Sequence, residues 1–176
     1  MPPLSPVRLR VALSEDLPAL PIIELAAGAV FREVGMGAVA DDPVPSENDL
    51  LPHVEAGRVW VATIDDRVVA YALAVTLDSR AHLEQVSVDP EHAGRRIGAA
   101  LIDEVERWAH TRGDDAITLT TFADVPWNAP YYYRLGFRPI DTPGPELAAA
   151  LDHEKRRFPG FARLAMVRPV RGPVRP

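Results

Sequence analysis

Short runs of β-branched residues, or of hydrophobic residues alternating with polar ones, recur along the chain and predict strands. The first run places Val and Leu around Arg8 and Arg10, which is the pattern of an amphipathic strand. Asp65, Asp66 and Arg67 separate two later runs and predict a hairpin connection. The predicted strands are residues 7–13, 58–64, 68–76, 81–88, 117–121, 137–140 and 161–167.

Runs in which apolar residues recur every three or four positions predict helices between these strands. The clearest begins at about Ile97 and ends before Gly113. Ser46 begins a short helix through Glu55 with a capping-box pattern. Further helical segments are predicted after Ser14, with an interruption at Pro21, and at residues 131–135 and 147–156.

This order of elements predicts one mixed α/β domain, with helices on both faces of a central sheet. A chain of 176 residues suits a single domain, whose core is expected at about residues 7–167. Residues 168–176 are basic and rich in proline. We expect them to form a flexible, solvated tail.

Composition excludes several kinds of chemistry. The chain has no cysteine, so it has no disulfide, thiolate metal site or cysteine nucleophile. Its five histidines are dispersed without the spacing of a metal-binding pair, and we expect no metal. A net charge of −6 disfavours nucleic-acid binding, and no apolar run is long enough to span a bilayer. We therefore expect a cytoplasmic protein without a nucleic-acid or membrane partner.

The segment from Val86 to Leu101 has the pattern of a strand, a short loop and the start of a helix. The first N–H groups of a helix have no intrahelical partner and lie at the positive end of its dipole, so they favour a phosphate. Gly94 and Gly98 have no side chain to keep the phosphate away. The segment predicts an anion-binding cradle, although an ordinary helix cap with glycines has the same local pattern.

This loop resembles the pyrophosphate loop of the GCN5-related N-acetyltransferase (GNAT) superfamily, which binds acetyl-CoA. That loop reads Gln/Arg-x-x-Gly-x-Gly/Ala, and its last position falls on Gly98. Ala93 stands at the first position, and Arg96 stands where glycine is usual. Ala93 keeps its N–H and Arg96 serves if its backbone stays helical, so we expect binding through main-chain amides.

A second segment, residues 125–137, resembles the C-terminal signature of the same family. There a helix that carries Asn and Tyr ends in Leu-Gly-Phe, with Gly136 here as the expected C-cap. The resemblance implies that Tyr132 protonates the departing CoA thiolate and that Asn128 contacts the CoA chain. Tyr131 and Tyr133 are adjacent alternatives for the acid, and packing is the alternative role of Tyr132.

The resemblance also implies the GNAT fold over about residues 7–167, in which a splayed pair of strands holds CoA. Pantetheine then pairs with strand backbone, and the pyrophosphate lies on the loop and the first helical turn. The cofactor-binding residues implied in this way are Val86, Ser87, Val88, Gly94, Arg95, Arg96, Ile97, Gly98 and Ala99. The two arginine side chains either add charge to the phosphates or lie in solvent.

Direct attack on a thioester needs a base, because an ammonium acceptor has no lone pair. Glu84 is the first candidate, since strand alternation directs it to the same face as Val86 and Val88. His82 has the same parity and is the second candidate, being neutral near physiological pH without a shift. The alternative roles are a groove-lining position for Glu84 and a strand-end surface position for His82.

These residues predict an N-acyltransferase that moves an acetyl group from acetyl-CoA to a primary amine of a small molecule or peptide. Tyr132 is the expected general acid, Glu84 the expected base, and a homodimer is an alternative to a monomer. The other hypothesis is a non-catalytic acyl-CoA-binding sensor or regulatory module. Tyr132 argues against it, because a binding module needs no acid.

Overall fold

A seven-stranded mixed sheet organises the computed structural model, which describes residues 5–172. Its strand order is β1-β2-β3-β4-β5-β7-β6. The strands are β1 (Arg8–Val11), β2 (Val59–Ile64), β3 (Arg67–Leu77), β4 (Arg80–Val88), β5 (Ala116–Phe122), β6 (Arg138–Pro139) and β7 (Arg163–Pro169). The α-helices are α1 (Ala19–Gly28), α2 (Gly37–Ala40), α3 (Glu47–Glu55), α4 (Ile97–Arg112), α5 (Ala129–Arg134) and α6 (Pro145–Arg157).

The strands β4 and β5 are parallel, whereas β1 pairs with β2, β2 with β3, and β7 with both β5 and β6 in antiparallel register. The sheet is therefore mixed, as predicted. The parallel register joins Ala81 to Ile117, His82 to Thr118 and Leu83 to Leu119. This register ends before either strand does, which is what a splayed strand pair requires.

The predicted elements are found with boundaries that differ by a few residues at most, apart from the segment after Ser14. There the chain first makes a short 3₁₀ turn, Ser14–Asp16, and α1 begins at Ala19. The predicted interruption at Pro21 is therefore wrong, since Pro21 is the third residue of α1. The first turn of a helix tolerates proline because its N–H groups have no intrahelical acceptor.

The chain packs as two compact units, of which the first contains residues 5–74 and 85–104. In this first unit a buried apolar cluster joins α1 and α3 to β2 and β3. Its members on these elements are Leu20, Ile23, Leu50, Val54, Val59, Val61, Tyr71 and Leu73. Full burial of a large apolar side chain contributes about 1.5 to 3 kcal/mol, so this cluster is what holds the two helices.

The second unit contains residues 75–84 and 105–172. Here β5 pairs with β7 along its whole length, from Ala116 to Phe122. The helix α6 buries Leu147 and Leu151 against Ala165 of β7, with Leu77 and Ile140 at the edge of the cluster. In the described part of the chain, no helix is both long and apolar enough to cross a membrane.

The first part of the predicted tail is ordered, contrary to expectation. Arg168 belongs to β7, is buried, and donates to Glu106 Oε2 at 2.8 Å. The amide and guanidinium of Arg171 donate to the same carboxylate. Burial alone would raise the pKa of Glu106, but the two arginines hold it below its usual value. Local composition could not reveal this partner because it is distant in sequence, and residues 173–176 lie outside the described residues.

A hairpin turn between β3 and β4 caps the start of α6. Asp78 and Ser79 both have left-handed backbone, with φ of 49° and 61°, as a two-residue hairpin requires. The Asp78 carboxylate accepts hydrogen bonds from the amides of Glu146 and Leu147, each at 3.0 Å, and the Glu146 carboxylate accepts one from the Asp78 amide. A Cβ atom on Gly144 would clash with the Asp78 carboxylate.

We expect Gly144→Ala to lower the free energy of unfolding by about 1–2 kcal/mol, because the methyl group displaces a carboxylate that two amides hold in place. The matched control is Gly28→Ala. Gly28 ends α1 with helical backbone and open space around it, so alanine there should stabilise by about 0.5–1 kcal/mol. Urea denaturation measures both variants. Changes of the same sign and size would contradict the capping role of Asp78.

Candidate active site

The loop between β4 and α4 lies in the first unit and presents backbone amides at a helix start. Asp89 caps a short 3₁₀ turn by accepting from the Glu91 amide at 3.0 Å. The first bond of α4 runs from the Ala100 amide to the Arg96 carbonyl at 3.1 Å. The amides of residues 97–99 precede this bond, so no carbonyl of their own helix can accept from them. The predicted cradle residues therefore include the start of a helix, and their role in binding an anion stays a prediction.

Arg96 departs from the expectation that its backbone stays helical. Its φ is +58°, in the left-handed region, and Gly94 has a φ of +78°. Arg95 between them does not have positive φ, and alternating handedness of this kind makes consecutive amides converge on one point. Left-handed backbone costs an L-residue roughly 1–2 kcal/mol, whereas glycine adopts it without that strain. Arg96 thus keeps the loop geometry at a cost in stability.

The two arginine side chains of the loop have different surroundings. The Arg95 guanidinium is half-buried and donates to the Ser5 carbonyl at 2.7 Å, so it ties the loop to the segment before β1. The Arg96 side chain is exposed. Arg96 is thus the more exposed of the two arginines.

The end of β4 leads directly into this loop. Ser87 is buried, and its hydroxyl accepts from Gln85 Nε2 at 2.8 Å, so its side chain is engaged within the strand. Val86 and Val88 are half-buried on the opposite face. The register between β4 and β5 covers residues 81–83 and does not extend to residues 86–88, whose contacts with pantetheine stay a prediction.

Glu84 and His82 lie in the second unit, and their surroundings differ sharply. The Glu84 side chain is 51% exposed, while His82 is buried at 2% exposure. The alternative role for His82, a surface position at a strand end, is therefore wrong. Burial lowers the pKa of His82 to about 4, whereas surrounding protein and the charge of Glu154 raise the pKa of Glu84. Of the two residues, Glu84 is therefore the accessible one, and its pKa lies above that of an ordinary carboxyl group.

Tyr132 is half-buried on α5 and packs edge-on against Tyr131 and Phe137, with ring centroids 5.5 and 5.8 Å away. Burial raises the pKa of Tyr132, and Tyr131 adds to this effect while Arg163 opposes it. Its hydroxyl therefore stays protonated at neutral pH, as a general acid must. Tyr133 is exposed and Tyr131 lies beside the Arg134 guanidinium, so the three adjacent tyrosines are not equivalent.

Asn128 directly precedes α5, and its side-chain amide makes only part of the hydrogen bonds available to it. Its Nδ2 donates to Thr121 Oγ1 at 2.9 Å, but its Oδ1 is buried without a hydrogen-bond partner within residues 5–172. A buried carbonyl oxygen without a donor is costly, so this atom suits a ligand N–H. The pantetheine arm of CoA carries amide N–H groups, and Asn128 therefore fits the contact that the sequence predicts.

Three further residues of the second unit contact or influence the candidate base residues, and the sequence analysis did not identify them. Thr118 lies opposite His82 in the β4–β5 register, and its Oγ1 is 2.9 Å from His82 Nδ1. Arg163 of β7 binds Glu154 of α6, with nitrogen–oxygen distances of 2.6 and 2.8 Å. Only the strand register could have indicated Thr118, and nothing local marks the other pair.

Comparison with known proteins places this geometry in a family. Residues 30–137 match the acetyltransferase (GNAT) family. The PaiA N-acetyltransferase from Thermoplasma acidophilum, solved with coenzyme A, is 18% identical, with a TM-score of 0.67 over 93% of this chain and 99% of that one. The ribosomal-protein-S18-alanine N-acetyltransferase from Escherichia coli is 20% identical, with a TM-score of 0.65 over 97% and 99% of the two chains.

N-acetylglutamate synthase from Neisseria gonorrhoeae, solved with coenzyme A and N-acetylglutamate, has a TM-score of 0.70 at 16% identity, over 96% of this chain and 36% of that one. At these identities the solved structures show a common fold and no common substrate. The family match spans more than half of the chain and includes both the α4 cradle and Tyr132. The chain belongs to the acetyltransferase (GNAT) family.

Proposed function

We propose that this protein transfers an acetyl group from acetyl-CoA to a primary amine of a small molecule or peptide by direct attack. The observation that carries the proposal is the start of α4, where left-handed residues 94 and 96 turn the chain so that the amides of residues 97–99 are left for an anion. Solved relatives bound to coenzyme A support a CoA thioester as donor.

The chemistry assigns one role to each side chain. Glu84 accepts a proton from the ammonium acceptor, and the freed nitrogen lone pair forms the new bond to the thioester carbonyl carbon. The carbon–sulfur bond then breaks, and Tyr132 donates its phenolic proton to the departing thiolate. The acetylated nitrogen gives up its remaining extra proton to the Tyr132 phenolate, which restores the phenol, and Glu84 releases its proton to solvent. The products are an amide, CoA–SH and one proton. No covalent acyl-enzyme is needed, in agreement with the absence of cysteine from the sequence.

The cradle is tested by Gly98→Glu, which places a carboxylate where the phosphates would lie. We expect acetyl-CoA binding to fall below detection by titration calorimetry, because like charges repel and the helix start is blocked. Gly98→Gln is the matched control, since it adds nearly the same bulk without the charge and should bind more tightly than the glutamate variant. Unchanged affinity in a folded Gly98→Glu protein would remove α4 from the binding site.

The general acid is tested by Tyr132→Phe, which removes only the hydroxyl. General acid catalysis is worth about 10²- to 10⁴-fold, so kcat should fall within that range while acetyl-CoA binding is kept. Tyr131→Phe and Tyr133→Phe serve as controls and should retain activity. If Tyr132→Phe stays within about twofold of wild type, another tyrosine or water protonates the thiolate. Tight acetyl-CoA binding without turnover in wild type would instead favour the sensor module.

The base is tested by Glu84→Gln, which keeps the size of the side chain but accepts no proton. The rate should fall most at low pH, where the acceptor is an ammonium ion, and recover in part at high pH, where free amine is abundant. Glu55→Gln, an exposed carboxyl on α3, is the control and should match wild type. A loss of rate that is equal at every pH would assign Glu84 to acceptor binding.

A further inference from the structure

A buried histidine in the second unit lies between a strand hydroxyl and the candidate base. His82 Nδ1 is 2.9 Å from Thr118 Oγ1, and both residues are at most 3% exposed. On the other side of the ring, His82 Nε2 is 3.7 Å from Glu84 Oε2. Half of the Glu84 side chain is exposed and the terminal torsion of a glutamate is broad, so the carboxylate has freedom to rotate towards the ring.

His82 is badly suited to be the base itself. Burial lowers its pKa to about 4, so the ring is neutral at physiological pH and takes up a further proton only weakly. Its burial also keeps an acceptor amine from either nitrogen. A neutral imidazole has one N–H and one acceptor nitrogen, and the remaining question is which nitrogen carries the hydrogen.

The two neighbours of the ring select one tautomer. An ionised carboxylate has no hydrogen to donate, so the nitrogen that faces Glu84, Nε2, has to carry the ring hydrogen. Nδ1 is then the acceptor, and the Thr118 hydroxyl donates to it. The opposite tautomer would direct the Nε2 lone pair at a negative charge. The Thr118 hydroxyl, which is itself buried, lies at hydrogen-bond distance from Nδ1.

We propose that Thr118 and His82 are positioning residues for Glu84, with Thr118 holding His82 in the Nε2–H tautomer and that N–H directed at the Glu84 carboxylate. This inference rests on the proposed role of Glu84 as base. The pair neither touches substrate nor takes a proton; it orients the carboxylate and stabilises its ionised form. It thereby opposes Glu154 of α6, whose own charge is paired with Arg163 of β7.

The first test is the tautomer of His82, read from ring ¹⁵N chemical shifts at pH 7. Thr118→Val removes the hydroxyl at nearly constant volume, and Thr118→Ser keeps it. We expect the Nε2–H tautomer in wild type and in Thr118→Ser, and a shift away from it in Thr118→Val. An Nδ1–H ring in the wild-type protein would overturn the proposal, and this measurement needs no turnover.

The second test is the acid limb of kcat/KM against pH, with acetyl-CoA and an active amine. Loss of the N–H donor disfavours the ionised form of Glu84. In Thr118→Val and in His82→Phe, the acid side of the pH profile of kcat/KM should therefore move to higher pH by roughly half to one pH unit. Thr118→Ser should leave it in place. An unmoved limb in Thr118→Val, or an equal loss of rate at every pH, would overturn the positioning role. If the wild-type protein shows no turnover, the proposed function is overturned instead. The tautomer measurement would still decide whether Thr118 donates to His82 Nδ1.

Discussion

An α-helix begins with N–H groups that none of its own carbonyls can reach, and in α4 these groups follow the short loop that leads from the end of β4 at Val88 to Ile97. The cofactor hypothesis depends on this constraint. The chain has to reverse between the two elements without covering those amides, and it does so with left-handed backbone at Gly94 and Arg96. The arginine side chains are secondary in this design: one is tied to Ser5 and the other is exposed. The proposed recognition by main-chain atoms needs no particular side chain at residues 93 and 96, so it is compatible with Ala93 and Arg96 there.

Burial shifts the pKa values of Tyr132 and His82 in opposite directions, and both shifts favour the uncharged form of the side chain. It raises the pKa of the phenol and lowers that of the imidazole, so both are uncharged through the neutral range. Glu84 differs because half of its side chain is exposed, and its pKa is raised without the group losing contact with solvent. The second unit therefore contains an uncharged phenol, an uncharged imidazole and, at Glu84, a half-exposed carboxyl group. The proposed amine-acyl transfer uses these groups as its acid, a positioning residue and its base.

The sequence predicts most elements of this fold because their signals are local. The segment from Ile97 to Arg112 has a helical apolar periodicity and is followed by a glycine that ends it, and Ser46 caps α3. Neither helix signal depends on a residue distant in sequence. The expected helical backbone of Arg96 is wrong, because its left-handed conformation follows from the turn that the whole loop makes and not from the local residue types. The order of Arg168 and Arg171 depends on Glu106, more than sixty residues away. Thr118 was missed for a related reason, since strand register becomes known only when the two strands are paired.

The reciprocal bonds between Asp78 and the start of α6 join residues 68 positions apart. Most helix caps are local and form together with the first turn, but this one is completed only after the hairpin and the helix have met. The first turn of α6 is therefore coupled to long-range assembly, and closing so large a loop is an entropic cost that must be met before the cap contributes. In native-state hydrogen exchange, the amides of Glu146 and Leu147 would consequently report the cooperative opening of the second unit and not the local fraying that is usual at a helix end.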